Sequence, residues 1–173
     1  MKLSVAVLLF LLIQLTSCTD EKEPVNQKPR WTQDQSTELN RNLAKQELIK
    51  IKLYLKQRPD WKLEDTGSGL KYWIYKDDEG ELAKPGDRVD VQFEVKNLKD
   101  ELYYKTEEEE FSSFKVDKSQ VETGVMEGVK LLSEGDQAKF IIPSHIGHGL
   151  LGDMNKIPPL EVLVVDLKLV KIH

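Results

Sequence analysis

Gln120-Val121-Glu122-Thr123-Gly124-Val125-Met126-Glu127-Gly128-Val129-Lys130-Leu131-Leu132-Ser133-Glu134-Gly135-Asp136 is the stretch on which the fold turns. Val125, Val129 and Leu132 fall at i, i+4 and i+7, the spacing of one helical face. The spacing predicts a short helix over about 123–132. Ser133-Glu134-Gly135 then closes it, with glycine available for the left-handed position after a helix end.

Outward from this helix the periodicity changes from helical to alternating. Arg88 to Lys96 alternates without a break: Val89, Val91, Phe93 and Val95 face one way, and Arg88, Asp90, Gln92, Glu94 and Lys96 the other. That is a half-buried strand. Leu70–Tyr75, Gln137–Pro143 and Leu160–Ile172 read as further strands, the last with Leu163, Val165, Leu167 and Leu169 on one face. Asp77-Asp78-Glu79-Gly80 and Lys84-Pro85-Gly86-Asp87 are turns. The run Glu107–Glu110 is a solvated loop or edge. Several strands around one short helix predict an α+β domain with an antiparallel sheet over 67–173.

Upstream, residues 36–66 form a helical segment. Ser36 or Thr37 offers an N-cap, strong helix formers run to about Gln57, and Pro59 stops them. Leu39, Leu43, Leu48, Ile51 and Leu55 make an apolar stripe that Ile49 and Leu53 broaden, so more than one side is expected to be covered. Docking on the downstream domain is favoured over a dimerisation arm, because the helix is short for a coiled coil. The expected state is a monomer or weak dimer. Residues 18–35 are polar, charged and contain Pro24 and Pro29, the composition of a flexible tether. Residues 1–17 place Lys2 before an unbroken apolar run from Val5 to Ile13, the plan of an export signal. They end in Leu15-Thr16-Ser17-Cys18, which resembles the bacterial lipobox. That resemblance implies cleavage before Cys18, lipidation of its thiol, and a chain anchored to a membrane without spanning it. Thr19 in place of Asp points to the outer membrane of the cell envelope.

Composition excludes other classes. The chain has 173 residues, 39% hydrophobic and 32% charged, enough apolar content for one core. Its net charge of −5 and the lack of any basic cluster exclude a nucleic-acid partner. One cysteine excludes a disulfide framework. No HExxH, Walker or GxGxxG pattern and no nucleophile elbow occurs. His145 and His148, with Asp153 nearby, have helical metal-ligand spacing, but Gly147 and Gly149 break any helix there, so no metal and no cofactor is expected.

From Gly69 to Ile172 the chain resembles the FK506-binding-protein family of peptidyl-prolyl isomerases. The matching pieces are Gly69–Tyr72, Lys84–Val91, Phe114–Asp117, Gln120–Val129, Leu132–Asp136, Ile142–Ser144, His148-Gly149, Ile157–Pro159 and Val162–Leu167, in order. With the lipobox and helical preamble, the whole is similar to bacterial FKBP-type lipoproteins, gliding-motility-associated ones among them. The resemblance implies a bent sheet of five or six antiparallel strands around the short helix, with a shallow apolar pocket for a proline ring between them.

Carried over position by position, the resemblance places Phe93, Tyr104 and His148 as catalytic residues. Phe111, Phe114, Val121, Glu122, Val125, Ile157 and Val165 are the substrate-binding ones. Several depart from the family pattern. Phe93 stands for a Tyr, Tyr104 for a Phe, and Lys105 for an Asp, which would reverse the charge at the pocket wall. Phe111 or Ser112 takes the place of a pocket Phe. Glu122 replaces an Ile whose backbone N–H binds the ligand, Val125 replaces the floor Trp, His148 a Tyr, and Val165 a Phe. The implied function is prolyl isomerisation of exported proteins, weakened by a thinned pocket, with proline-containing segments as partners. The alternative is a catalytically feeble peptide-binding chaperone or assembly lipoprotein on the same fold.

Overall fold

The structure, a computed structural model, describes residues 31–173. The export signal, Cys18 and most of the tether lie outside the described residues. Residues 37–173 form one unit, and the other, Met1–Ser36, is described only from Trp31.

Helix α1 spans Gln33–Lys56 and starts four to five residues before the point that a cap at Ser36 or Thr37 would give. Thr32 is the cap: its Oγ1 accepts the Gln35 N–H at 3.2 Å while the Gln35 Oε1 accepts the Thr32 N–H at 3.0 Å. This reciprocal box satisfies two end donors at once. The helix ends where expected, its last carbonyls taken by Gln57 and Arg58 before Pro59.

Seven strands follow: β1 (Glu64–Asp65), β2 (Lys71–Lys76), β3 (Arg88–Lys96), β4 (Leu102–Lys105), β5 (Ser112–Lys115), β6 (Gln137–Ile142) and β7 (Leu163–Ile172). Helix α2 (Thr123–Val129) lies between β5 and β6, and a 3-10 turn (Ser144–Ile146) follows β6. All pairs are antiparallel in the order β1-β2-β6-β7-β3-β4, with β5 beside the first half of β3. The sheet thus has seven strands where five or six were expected, because β3 is long enough to pair β5 at one end and β4 at the other.

Register sets the inner face. Tyr72 pairs Phe140, Phe140 pairs Val165, Val165 pairs Val95 and Val95 pairs Tyr104, a row of side chains across five strands. Directly opposed residues share a face, so the row is apolar throughout. Helix α2 covers it. A Cβ on Gly128 would stand 2.7 Å from the Phe140 ring, and one on Gly124 2.6 Å from Ile142. Two glycines four apart therefore let the helix backbone press onto β6.

Helix α2 ends at Val129, earlier than expected, and tightens through Leu131 N–H to Gly128 O and Leu132 N–H to Val129 O. Gly135 does take a left-handed φ of 99°, but in the turn into β6, not at the helix end. The buried Asp136 needs that turn: its carboxylate accepts the Ser133 N–H at 2.6 Å and the Asp78 N–H at 2.7 Å.

The outer face carries a second cluster. Ile51 and Tyr54 of α1 pack on Ile141, Val162 and Val164, with Trp61 and Leu63 beside them. Docking is thus observed. Only one side of α1 is covered, however: Leu39, Leu48, Ile49 and Leu53 stay exposed, and the buried stripe includes the polar Glu47. Strand β3 departs from strict alternation at Asp90. It is buried because Ser113 of β5 and the C-terminal His173 close over it, His173 Nε2 at 2.8 Å.

Candidate active site

On the inner face, β3, β4, β5, β7 and α2 leave a cavity of about 350 Å³. Strand β3 contributes Phe93, β4 Tyr104, β5 Phe114 and β7 Val165. The approach to α2 adds Val121 and Glu122, the helix adds Val125, and the loop after the 3-10 turn adds His148. These positions are far apart in sequence, and antiparallel pairing brings them together: Val165 sits opposite Val95, and Leu167 opposite Phe93.

Two expected residues are not brought to the cavity. Phe111 is 55% exposed, and Ser112 lines the wall in its place. The physical reason is strand alternation, since pairing Ser112 with Val91 and Phe114 with Val89 points both inward. Ile157 is 4% exposed and packs in the core behind the wall. It supports the loop, its N–H donating to Asp153 Oδ1 at 2.7 Å and its carbonyl accepting the Asp153 N–H at 3.1 Å. The charge reversal expected from Lys105 does not reach the cavity. Lys105 turns to the other face, with Nζ 3.7 Å from Glu94.

Beside Glu122, the cavity has a second acid in Asp153, noted in the sequence only as a possible metal neighbour. Its Oδ2 accepts the Tyr104 hydroxyl proton, and its Oδ1 accepts the N–H groups of Asn155 at 2.9 Å and Ile157 at 2.7 Å. Desolvation opposes its ionisation, but these hydrogen bonds and nearby His148 outweigh it and hold the carboxyl down at about 2. The same bond to Asp153, with desolvation, raises the Tyr104 phenol. Val91, Gln120 and Leu167 also line the cavity. Leu167 was legible as an inward residue of the last strand, but nothing local marked it as lining a hole.

His148 Nε2 lies 2.8 Å from Glu122 Oε1. Two departures from the family pattern therefore meet in space. His145 points elsewhere, its Nε2 3.0 Å from the Ser68 carbonyl. Among the described residues no group of three or more His, Cys, Asp and Glu is placed to hold a metal ion. A larger hollow of about 610 Å³ opens on the outer face, lined by Glu94, Lys105, Asp166, Lys168 and other polar groups beside Tyr75 and Phe93. Its walls are mostly charged or polar, so the smaller, more apolar cavity is the candidate site.

A profile of the FKBP-type peptidyl-prolyl cis-trans isomerase family matches residues 79–170, which include every residue that lines this cavity. The probable FKBP-type isomerase FkpA of Neisseria meningitidis is 39% identical over 110 residues, 64% of this chain and 40% of that protein. FkpA of Buchnera aphidicola (Schizaphis graminum) is 34% identical over 139 residues, 74% of this chain and 51% of that protein. The chain thus spans about half the length or less of these two curated relatives. Among solved structures, FkpA from Escherichia coli superposes with a TM-score of 0.66 at 24% identity, covering 80% of this chain and 64% of that one. A Pseudomonas syringae peptidyl-prolyl isomerase gives 0.61 at 16% identity, covering 70% and 90%. These likenesses carry the fold, and the profile, matched over more than half of the sequence, carries the kinship: the chain belongs to the FKBP-type peptidyl-prolyl cis-trans isomerase family.

Proposed function

We propose that this chain catalyses cis-trans isomerisation of Xaa-Pro bonds in exported proteins, held at the outer membrane by a lipid on Cys18, with weak activity. The observation that carries the reading is the apolar, ring-lined cavity between α2 and the sheet. Amide resonance slows rotation about an Xaa-Pro bond, with a barrier of ~18–20 kcal/mol. The twisted state has less C–N double-bond character than either planar form. A cavity that seats the proline ring by apolar contact, and leaves the amide free to twist, binds that state better than the ground state. Phe93, Phe114, Val121, Val125 and Val165 supply the contact surface. The backbone N–H of Glu122, to which the resemblance assigns the peptide carbonyl, holds the chain without demanding planarity. No proton, electron pair or metal is needed for this step.

A second reading, a peptide-binding chaperone or assembly lipoprotein, is favoured by one observation. The polar side chains that depart from the family pattern here are already engaged, Tyr104 with Asp153 and His148 with Glu122. Isomerisation assays on short Xaa-Pro peptides, run beside binding titrations, separate the two. Acceleration over the uncatalysed rate, unaffected by EDTA, is the expected result. Binding without acceleration overturns the isomerase reading in favour of the second.

A further inference from the structure

We propose that Glu122 is a specificity-determining residue that favours peptides carrying a lysine or arginine beside the proline. The inference rests on the reading of the cavity as a prolyl-peptide site and names the flank that the site selects.

Glu122 occupies the N-cap position of α2 with φ −55° and ψ 138°, yet its side chain makes no capping hydrogen bond. Serine, threonine, aspartate or asparagine at that position turns back to the helix N–H groups. Here the carboxylate turns toward the cavity instead, where Oε1 meets His148 Nε2 at 2.8 Å. The two side chains are 27% and 23% exposed, so a bound peptide can reach them.

The remaining charges leave that carboxylate as the group for a substrate cation. Asp153 also lines the cavity, but its oxygens are taken by Tyr104, Asn155 and Ile157. Three hydrogen bonds fill most of its acceptor sites, so it contributes chiefly negative field. No lysine or arginine is among the lining residues. The Lys156 ammonium stands near the Tyr104 ring, 4.8 Å from its centroid, and donates to the Tyr103 carbonyl at 3.2 Å. In its neutral form the imidazole donates one N–H and leaves the carboxylate's charge uncompensated. A cationic flank gains a charge-assisted hydrogen bond in a partly dry setting. An anionic flank meets two carboxylates and no lysine or arginine in the cavity wall.

The test uses short Xaa-Pro and Pro-Xaa peptides with Xaa as lysine, arginine, leucine or glutamate. Each is measured by isomerisation rate and by fluorescence anisotropy binding on the protein itself, Glu122→Gln and Glu122→Lys. The basic peptides should exceed the glutamate peptide by about ten-fold in at least one series, ~1.4 kcal/mol. Glu122→Gln should reduce that ratio to about two-fold, and Glu122→Lys should invert it. In the unaltered protein the preference should collapse in ~1 M salt, a readout that needs no variant to fold. A preference that is absent, or that survives both Glu122→Gln and salt, overturns the proposal. Isomerisation without charge preference removes this inference and leaves the isomerase reading standing. Selective binding of basic peptides without isomerisation does the reverse, and neither binding nor turnover removes both.

Discussion

Val125 faces the cavity where the family pattern has an indole, and the open volume of about 350 Å³ leaves room for one. Val125→Trp should raise the efficiency of Xaa-Pro isomerisation about ten-fold, ~1.4 kcal/mol of transition-state stabilisation. Overpacking would cost ~1–3 kcal/mol, so melting temperature measured beside activity tells a filled platform from a strained core. A well-folded variant with no gain would show that the proline ring does not lie on α2. Asp153 makes a separate prediction in the acid range. Its folded value of about 2 lies below the ordinary 3.8, so its stabilisation is present above pH 3.8 and is lost as pH falls toward 2. Asp153→Asn should flatten that segment of the acid unfolding curve and free the Tyr104 hydroxyl, which an ultraviolet titration of the phenol would register as a lowered value. An unchanged acid profile would mean that the loop carrying Asp153 is already open before acid unfolding begins.

Two elements place the site, and each hangs on an identifiable contact. Helix α2 approaches β6 through Gly128, whose added Cβ would stand 2.7 Å from the Phe140 ring. Gly128→Ala gains ~1 kcal/mol of helix propensity and meets ~1–3 kcal/mol of overpacking. Phe140 is fully buried and has nowhere to move, so the clash should win and the melting temperature should fall. A rise would mean that α2 can shift outward at little cost. Helix α1 reaches the loop carrying His148 through Glu47, which is 6% exposed and accepts the Ser144 N–H at 3.1 Å and the Ser144 hydroxyl. The Ser144 carbonyl in turn accepts the N–H groups of Gly147 at 3.1 Å and Gly149 at 2.8 Å, the neighbours of His148. Glu47→Ala strands two donors and should cost about 1–3 kcal/mol in urea unfolding. Because the loop also loses its support, activity should fall at temperatures where the variant remains folded. Full activity in a destabilised variant would confine Glu47 to a structural role.

At the scale of the whole molecule the sheet has two covered faces with different tasks. The inner face carries α2 and the cavity, and the outer face takes α1 onto Ile141, Val162 and Val164. The helix that docks behind the sheet is thereby the element nearest in sequence to the tether and to Cys18. If Cys18 carries the lipid, Cys18→Ser should release the protein from membranes without detergent, with its fold unchanged by circular dichroism. An unmodified Cys18 thiol in the mature wild-type protein, found by mass spectrometry, would refute anchoring there.

Local pattern was sufficient for the elements whose period is unmistakable: the existence of α1 and its stop at Pro59, the bounds of β3, and the inward face of β7. It was sufficient too for the family, because the matching pieces from Gly69 to Leu167 follow one another in the family's order. Strands β4 and β5 were not legible, since four residues carry too little alternation and β5 owes its face to β3. The same limit hid Asp153. An aspartate in a loop has no local signature, and only loop closure sets it under Tyr104. The meeting of Glu122 with His148, the burial of Glu47 and the turning of Lys105 away from the cavity were decided by tertiary structure. Each depends on which residue a distant element sets opposite, and periodicity along one strand or helix carries no information about its partner.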